Sequence, residues 1–381
     1  MKKALLSKTL LAASVAMVAN LSFAGEFKRF SVSAGWLHVM PQGNTNTFNI
    51  NTAAKEGTKS AVGNISEDSF FGALNPDYLQ KNKAQIEFLK PLLPLFEDPK
   101  TGEIQGAYTG DATINGLEHW QNNAGLEADD VDTLGLTFNY YINDNVSLQL
   151  IGGIPPKVDI KGKGQIIAPL SGNAKLPDIL NGIFPDASDF DLGPNELPLQ
   201  KDIFITDLNK PKIASVRAWT PALEAQYQFG KSGVNKFRPY VGAGLMFAHF
   251  NDIKLNGQTR SDLEAAGNMI QNVLDGAKAL DPKNNMPEGV GAGAALDGKT
   301  SSANPYVKVK ADDAIAPIVS LGATYDMTEN WYGVVSVSYA KLNNEAKIDV
   351  IDKNTGKRLI HAKTKIDIDP LITYVGVGYR F

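Results

Sequence analysis

The sequence predicts an all-β fold, an eight-stranded antiparallel transmembrane β-barrel with long loops at one end and short turns at the other. Three observations carry that reading: alternation in the closing stretch, a regular order of long and short links, and an export signal at the start. In 370–381 (PLITYVGVGYRF), Leu371, Thr373, Val375, Val377, Tyr379 and Phe381 fall on one face. Ile372, Tyr374, Gly376, Gly378 and Arg380 fall on the other. A two-residue period is that of a β-strand. A face so apolar needs a cover, and in a transmembrane barrel the cover is lipid.

At the other end, Lys2, Lys3 and Lys8 precede an apolar run over 10–18 and the small-x-small site Ser22-Phe23-Ala24. Residues 1–24 therefore read as a cleavable secretory signal peptide, with Gly25 as the expected first mature residue. No other run reaches the ~18 apolar residues of a membrane-spanning helix, so residence in a membrane after export requires strands. The chain has no Cys, hence no disulfide framework to close an exported fold. A net charge of −4 argues against a nucleic-acid partner.

Strand one is expected over 27–40, where Phe30, Val32, Ala34 and Trp36 oppose Arg29, Ser31, Ser33 and Gly35. A long insert, about 42–130, shows no strand period; inside it 82–96 suggests a short amphipathic helix broken by Pro91 and Pro94. Residues 131–142 and 146–154 alternate around Asn143-Asp144-Asn145 and read as a hairpin. A second insert covers about 161–211. Residues 214–229 alternate as one strand, with Trp219, Leu223, Ala225, Tyr227 and Phe229 opposite Ala222, Glu224, Gln226 and Gln228. A short link leads to 237–250. A third insert, about 251–313, precedes 315–327, a tight turn and 331–342; the insert 343–365 precedes the closing strand.

The count is eight, and the links run long, short, long, short, long, short, long. Both barrel termini then lie on the short-turn side, as in outer-membrane barrels. Closure of strand eight on strand one removes both edges, which lipid requires. Tyr140, Tyr227, Phe237, Tyr325, Trp331 and Tyr379 sit near the periplasmic ends, as in an interfacial girdle. A soluble sandwich does not explain this order of links. The expected organisation is a signal peptide, 1–24, followed by an outer-membrane barrel, 25–381, in the bacterial outer membrane.

Four stretches carry a family resemblance: Thr133–Phe138 with Asp144-Asn145; Pro221-Ala222-Leu223 followed by Gln226–Gly230; Phe237–Gly244; and Asp369-Pro370 with Gly378–Phe381. The barrel segments resemble the OmpW family of outer-membrane proteins, which includes AlkL-type alkane importers. The inserts are larger than that pattern. The resemblance implies passive uptake of small hydrophobic molecules, with a pocket opening sideways through the barrel wall beneath the lipopolysaccharide layer. It also implies that Tyr379 and Phe381 belong to the C-terminal signal read by the barrel-assembly machinery.

Several motifs compete for a role. Residues 293–300 (GAALDGKT) match the P-loop pattern but lack the flanking strand and helix that a phosphate grip needs. His38, His119, His249 and His361 have no metal-ligand spacing. Asp186, Asp189, Asp191 and the Asp352-x-Asn354-x-Gly356 run offer oxygen ligands for Ca²⁺, or simply solvated acids. No Ser/His/Asp set assembles, so no catalytic residue, metal or cofactor is expected. Pro155 and Pro156 end strand three, Pro221 lies in the neighbouring strand, and Pro239 and Pro370 lie in two others. Proline removes a ladder donor, so neighbouring prolines indicate either a gap in the wall or turn chemistry at the rim. Parity turns Glu224 and Arg238 inward as a possible pair plugging the lower lumen. Trp36, Met246 and Phe250 are assigned to an apolar mouth above. The rival to uptake is a structural or adhesive barrel whose loops bind an extracellular partner.

Overall fold

The computed structural model describes residues 28–177, 196–281, 283 and 290–381. The expected signal peptide and Asp186, Asp189 and Asp191 lie outside these. In chain order the strands are β1 (Phe30–Met40), β2 (Asn49–Thr52), β3 (Thr58–Ala61), β4 (Asp111–Asn115), β5 (Gln121–Asn122), β6 (Gly125–Ala128) and β7 (Val131–Tyr141). There follow β8 (Val146–Gly153), β9 (Lys157–Lys163), β10 (Gln165–Lys175), β11 (Glu196–Asp207), β12 (Ala214–Trp219), β13 (Ala222–Gln228) and β14 (Phe237–Leu255). The last six are β15 (Pro305–Ala311), β16 (Ala314–Asp326), β17 (Trp331–Ala340), β18 (Asn343–Asp352), β19 (Arg358–Asp367) and β20 (Leu371–Arg380). The α-helices are α1 (Glu67–Gly72), α2 (Pro76–Lys81), α3 (Lys83–Leu89), α4 (Gly257–Ala279) and α5 (Ala292–Leu296). No helix among the described residues is long and apolar enough to cross a membrane.

The barrel is an eight-stranded antiparallel ring in the order β1, β7, β8, β13, β14, β16, β17, β20 and back to β1. The closing seam pairs Ser31 with Arg380 and Met40 with Leu371. Ring closure satisfies every edge, as a bilayer demands. Alternation does the rest: Leu134, Leu136, Leu223, Leu245, Val335 and Val375 are exposed on the outer wall, where lipid covers them. Trp331 and Tyr379 meet edge-on at 5.1 Å, and Tyr227 meets Phe229 at 5.0 Å, placing an aromatic girdle at the short-turn end.

Small residues on the inner face leave room for large ones. A Cβ at Gly378 would lie 2.2 Å from the Tyr332 ring, and one at Gly322 would lie 2.5 Å from the Tyr240 ring. The buried tyrosines Tyr240, Tyr332 and Tyr374 therefore fill a lumen that eight strands keep narrow.

The inserts depart from the sequence expectation. They are not irregular: they fold together above the barrel as a cap with its own large core. One cap sheet runs β11-β10-β4-β3, with β5 on β10; another runs β15-β18-β19-β2. Helix α4 packs against strands of both sheets and against α5. Asn256 caps it, accepting from the Thr259 amide at 2.7 Å, and Leu263, Ala266, Ile270 and Val273 form its buried stripe. In 82–96 the chain forms α3 and then tightens into a 3-10 helix, Lys90–Leu95, with Pro94 inside it.

Three further corrections concern the wall. The expected single strand over 214–229 is two strands, β12 and β13, interrupted at Thr220-Pro221. Likewise the chain does not leave the wall at Pro155-Pro156 but resumes as β9, which pairs with β12. Pro370 precedes β20 rather than lying in it.

Candidate functional site: an apolar chamber under the cap

Below the cap lies a chamber of about 510 Å³. Its lower wall is barrel, with Leu37, Ile151, Met246 and Ile318; its roof is cap, with Phe48, Ile50, Trp120, Leu263 and Val350. Its floor is Gln149, Tyr240, Ser336 and Tyr374. Beneath the floor the lumen is closed by hydrogen bonds. Gln226 donates to Gln149 at 2.6 Å, Gln228 to Thr324 at 2.6 Å and Ser320 to Glu224 at 2.5 Å. Lower still, Arg380 pairs with Asp326 at 2.5 Å and lies over the Tyr332 ring.

The chamber meets the wall at the interrupted strands. Pairing of β8 with β13 ends at Ile151–Ala222, and pairing of β9 with β12 begins at Lys157–Arg217. Between these rungs lie 152–156 on one side and 218–221 on the other. They are joined only by the Ala218 amide on the Pro156 carbonyl at 3.1 Å and the Arg217 guanidinium on the Pro155 carbonyl at 3.1 Å among the described residues. Pro156 accepts a bond but has no N–H to return, so this rung stays half-made. Gly152, Gly153, Ile154, Pro155, Pro156, Trp219, Thr220 and Pro221 all line the chamber at this break. Ile154 and Trp219, 57% and 39% exposed, give the break an apolar outer rim.

The expected mouth residues separate here. Met246 is 2% exposed and Phe250 is half-buried, and both line the chamber. Trp36 does not. It is 53% exposed on the outer wall, donates from Nε1 to Asp132 at 2.8 Å and stacks on His38. Strand parity is the reason: Ser31 and Ser33 point inward, so Trp36 must point out, and Leu37 takes the inward place. The proposed Glu224–Arg238 pair is also absent. Glu224 stands opposite Gly244, and Arg238 lies six positions further down β14, about 20 Å away at ~3.3 Å per residue. Arg238 instead binds the Asp144 carbonyl and approaches the Asp144 carboxylate at 3.7 Å. Both residues are fully buried in the lumen, but at different levels.

Residues from the inserts that line the chamber, Trp120, Thr259 and Leu263 among them, were not singled out from sequence. The signal for α4 was present as apolar residues at 263, 266, 270 and 273. At the chamber edge Lys161 donates to Asp129 at 2.6 Å, which holds the Asp129 carboxyl below and the Lys161 ammonium above their ordinary ranges. The P-loop-like stretch begins inside α5, and Lys299 is paired with Glu103 at 2.6 Å, so it forms no phosphate cradle. His38, His249 and His361 each bind an aspartate, Asp132, Asp313 and Asp349. No group of three potential metal ligands occurs among the described residues.

Residues 289–381 match the sequence profile of the OmpW family. Outer membrane protein W of Vibrio cholerae serotype O1 is 23% identical over 249 residues, 65% of this chain and 73% of that protein. The C-terminal part of the barrel is thus similar to the OmpW family of outer-membrane proteins. Among solved structures, OprG from Pseudomonas aeruginosa aligns with 93% of this chain and 96% of its own, at 15% identity and a TM-score of 0.43. AlkL in DMPC bilayers aligns with 95% of each chain at 12% identity and a TM-score of 0.37. The protein resides in the bacterial outer membrane, and its capped barrel is consistent with a channel-like role.

Proposed function

We propose that the protein admits small hydrophobic molecules passively and releases them sideways into the membrane. The carrying observation is one apolar chamber that runs from the cap to the break between 152–156 and 218–221, above a hydrogen-bonded floor. The floor opposes a straight watery path to the periplasm, and the break is the exit. Pro155, Pro156 and Pro221 lie at the break, where the rung between Pro156 and Ala218 is only half-made, while Met246 and Phe250 form the apolar wall on the way to it. Burial supplies selectivity, at about 0.8 kcal/mol per methylene transferred from water. Glu224 and Arg238 serve as parts of the lumen plug, each with its own partners.

Gly152 gives the test. A Cβ there meets no heavy atom within 4 Å, so Gly152→Trp is accommodated and places a large ring at the exit. Liposomes carrying the protein should take up an apolar fluorophore several times faster than empty ones, and Gly152→Trp should remove most of that gain. Equal uptake with and without protein refutes transport and leaves the adhesive reading; full uptake by Gly152→Trp refutes the wall exit.

A further inference from the structure

We propose that Thr259 gives the chamber a head-group site, so that the solute held best is an apolar chain bearing one neutral hydrogen-bonding group, such as a primary alcohol. This deepens the uptake reading and rests on it. Thr259 is 3% exposed and lines the chamber, and its Oγ1 has no hydrogen-bond partner among the described residues. A helical threonine hydroxyl ordinarily bonds a carbonyl three or four residues back. Here the Asn256 carbonyl accepts from the Arg260 amide instead, and the Thr259 hydroxyl is left over. A buried, unpaired hydroxyl is costly, and a ligand atom that completes it recovers that cost.

A second hydroxyl belongs to the same spot. Thr206 is fully buried, lines the chamber and donates from Oγ1 to Asp262 Oδ2 at 2.8 Å. Asp262 lies three residues after Thr259 on α4, and residues so spaced share a helix face. With its proton committed to Asp262, the Thr206 oxygen is an acceptor, whereas the Thr259 hydroxyl is both donor and acceptor. The surrounding lining is apolar: Ile166, Leu208, Leu255 and Leu263. In the proposed site an alcohol oxygen accepts from Thr259 and donates to Thr206, with its chain along the leucines. A carboxylate fits less well. The partial positive charge of the α4 N-terminus would attract it, but the full negative charge of Asp262, one hydrogen bond behind Thr206, opposes it.

The test uses the full-length protein in lipid nanodiscs. Displacement of bound N-phenyl-1-naphthylamine by 1-decanol, decane and decanoate is compared for wild type, Thr259→Val and Thr259→Ser. Valine keeps the shape and removes the hydroxyl; serine keeps the hydroxyl. Thr259→Val should weaken decanol about fivefold, the factor that one net hydrogen bond of about 1 kcal/mol represents. Decane should be unaffected, and Thr259→Ser should stay within about twofold of wild type for decanol. An equal effect of Thr259→Val on decanol and decane overturns the head-group site. A fivefold loss seen for decanoate instead of decanol overturns the neutral class. If no chain displaces the probe from any of the three proteins, the uptake reading itself falls, and the head-group site with it.

Discussion

Ile270→Ala measures whether the inserts form one packed body. Ile270 is fully buried, on the stripe that α4 turns toward both cap sheets. The substitution removes three carbons. At about 0.8 kcal/mol per methylene, transfer alone costs about 2.4 kcal/mol. A hole of about 50 Å³ left open adds about 1.2 kcal/mol at ~24 cal/mol per Å³. The total, about 3.6 kcal/mol, raises the open fraction of the cap by about 400-fold. Where opening and closing are fast, proteolysis follows that open fraction. Cleavage within the cap segments should therefore accelerate by two to three orders of magnitude, about as the open fraction does. Wild-type cleavage rates would refute the packed cap and return the inserts to independent loops.

Two other outcomes follow from the seam and the cap. The Phe381 ring stacks with Phe30 at 6.2 Å and Tyr379 at 6.4 Å, so Phe381→Ala should lower barrel stability in lipid vesicles by about 1–3 kcal/mol, at about 0.5–1.5 kcal/mol per aromatic pair. It should also reduce folded barrel in cells if the residue is part of the assembly signal; unchanged stability and assembly would remove both roles. Asp352 accepts from the Thr355 hydroxyl at 2.5 Å and from the Asn304 and Asn354 amides, which hold its carboxyl below the usual range. Its contribution is therefore present above the unfolded value, about pH 3.9, and is lost as pH falls through the lower folded value. Acid titration of cap unfolding should show that component in wild type and not in Asp352→Asn; identical slopes would refute it.

The barrel was legible because lipid imposes a uniform rule. Most outward residues of β7, β13 and β20 are apolar, so a two-residue period survived in the sequence, and links of unequal length gave the topology. The cap follows no such rule. Its strands range from the four residues of β2 and β3 to the 12 of β11, and they bury their apolar sides against partners far away in sequence, such as Ile50 beside Ala362. A four-residue strand with one buried isoleucine leaves no period to find. Of the prolines singled out in the sequence, Pro155, Pro156 and Pro221 all line the chamber at the break. Parity explains the Trp36 error, because its own strand already placed it with Phe30 and Val32. The Glu224–Arg238 error came from treating neighbouring strands as neighbouring residues; only register gives the separation along them. Thr259 was beyond reach, because an unpaired hydroxyl is a property of packing.

Strand β14 has a mechanical meaning. It runs unbroken from Phe237 to Leu255, 19 residues, or about 63 Å at ~3.3 Å per residue. A bilayer crossing needs only about 9–11 of these, so the rest stands above the membrane as a spar inside the cap. At Asp252, where φ is 50°, the strand bulges against β12 but keeps pairing with it. A cap carried on such a spar does not swing like a hinged lid, because tilting it would tear hydrogen bonds from β12. Force applied at the cell surface passes straight to the barrel wall. Under the proposed uptake, side chains around the break rather than a swinging cap would govern passage, with cap and barrel moving as one stiff piece.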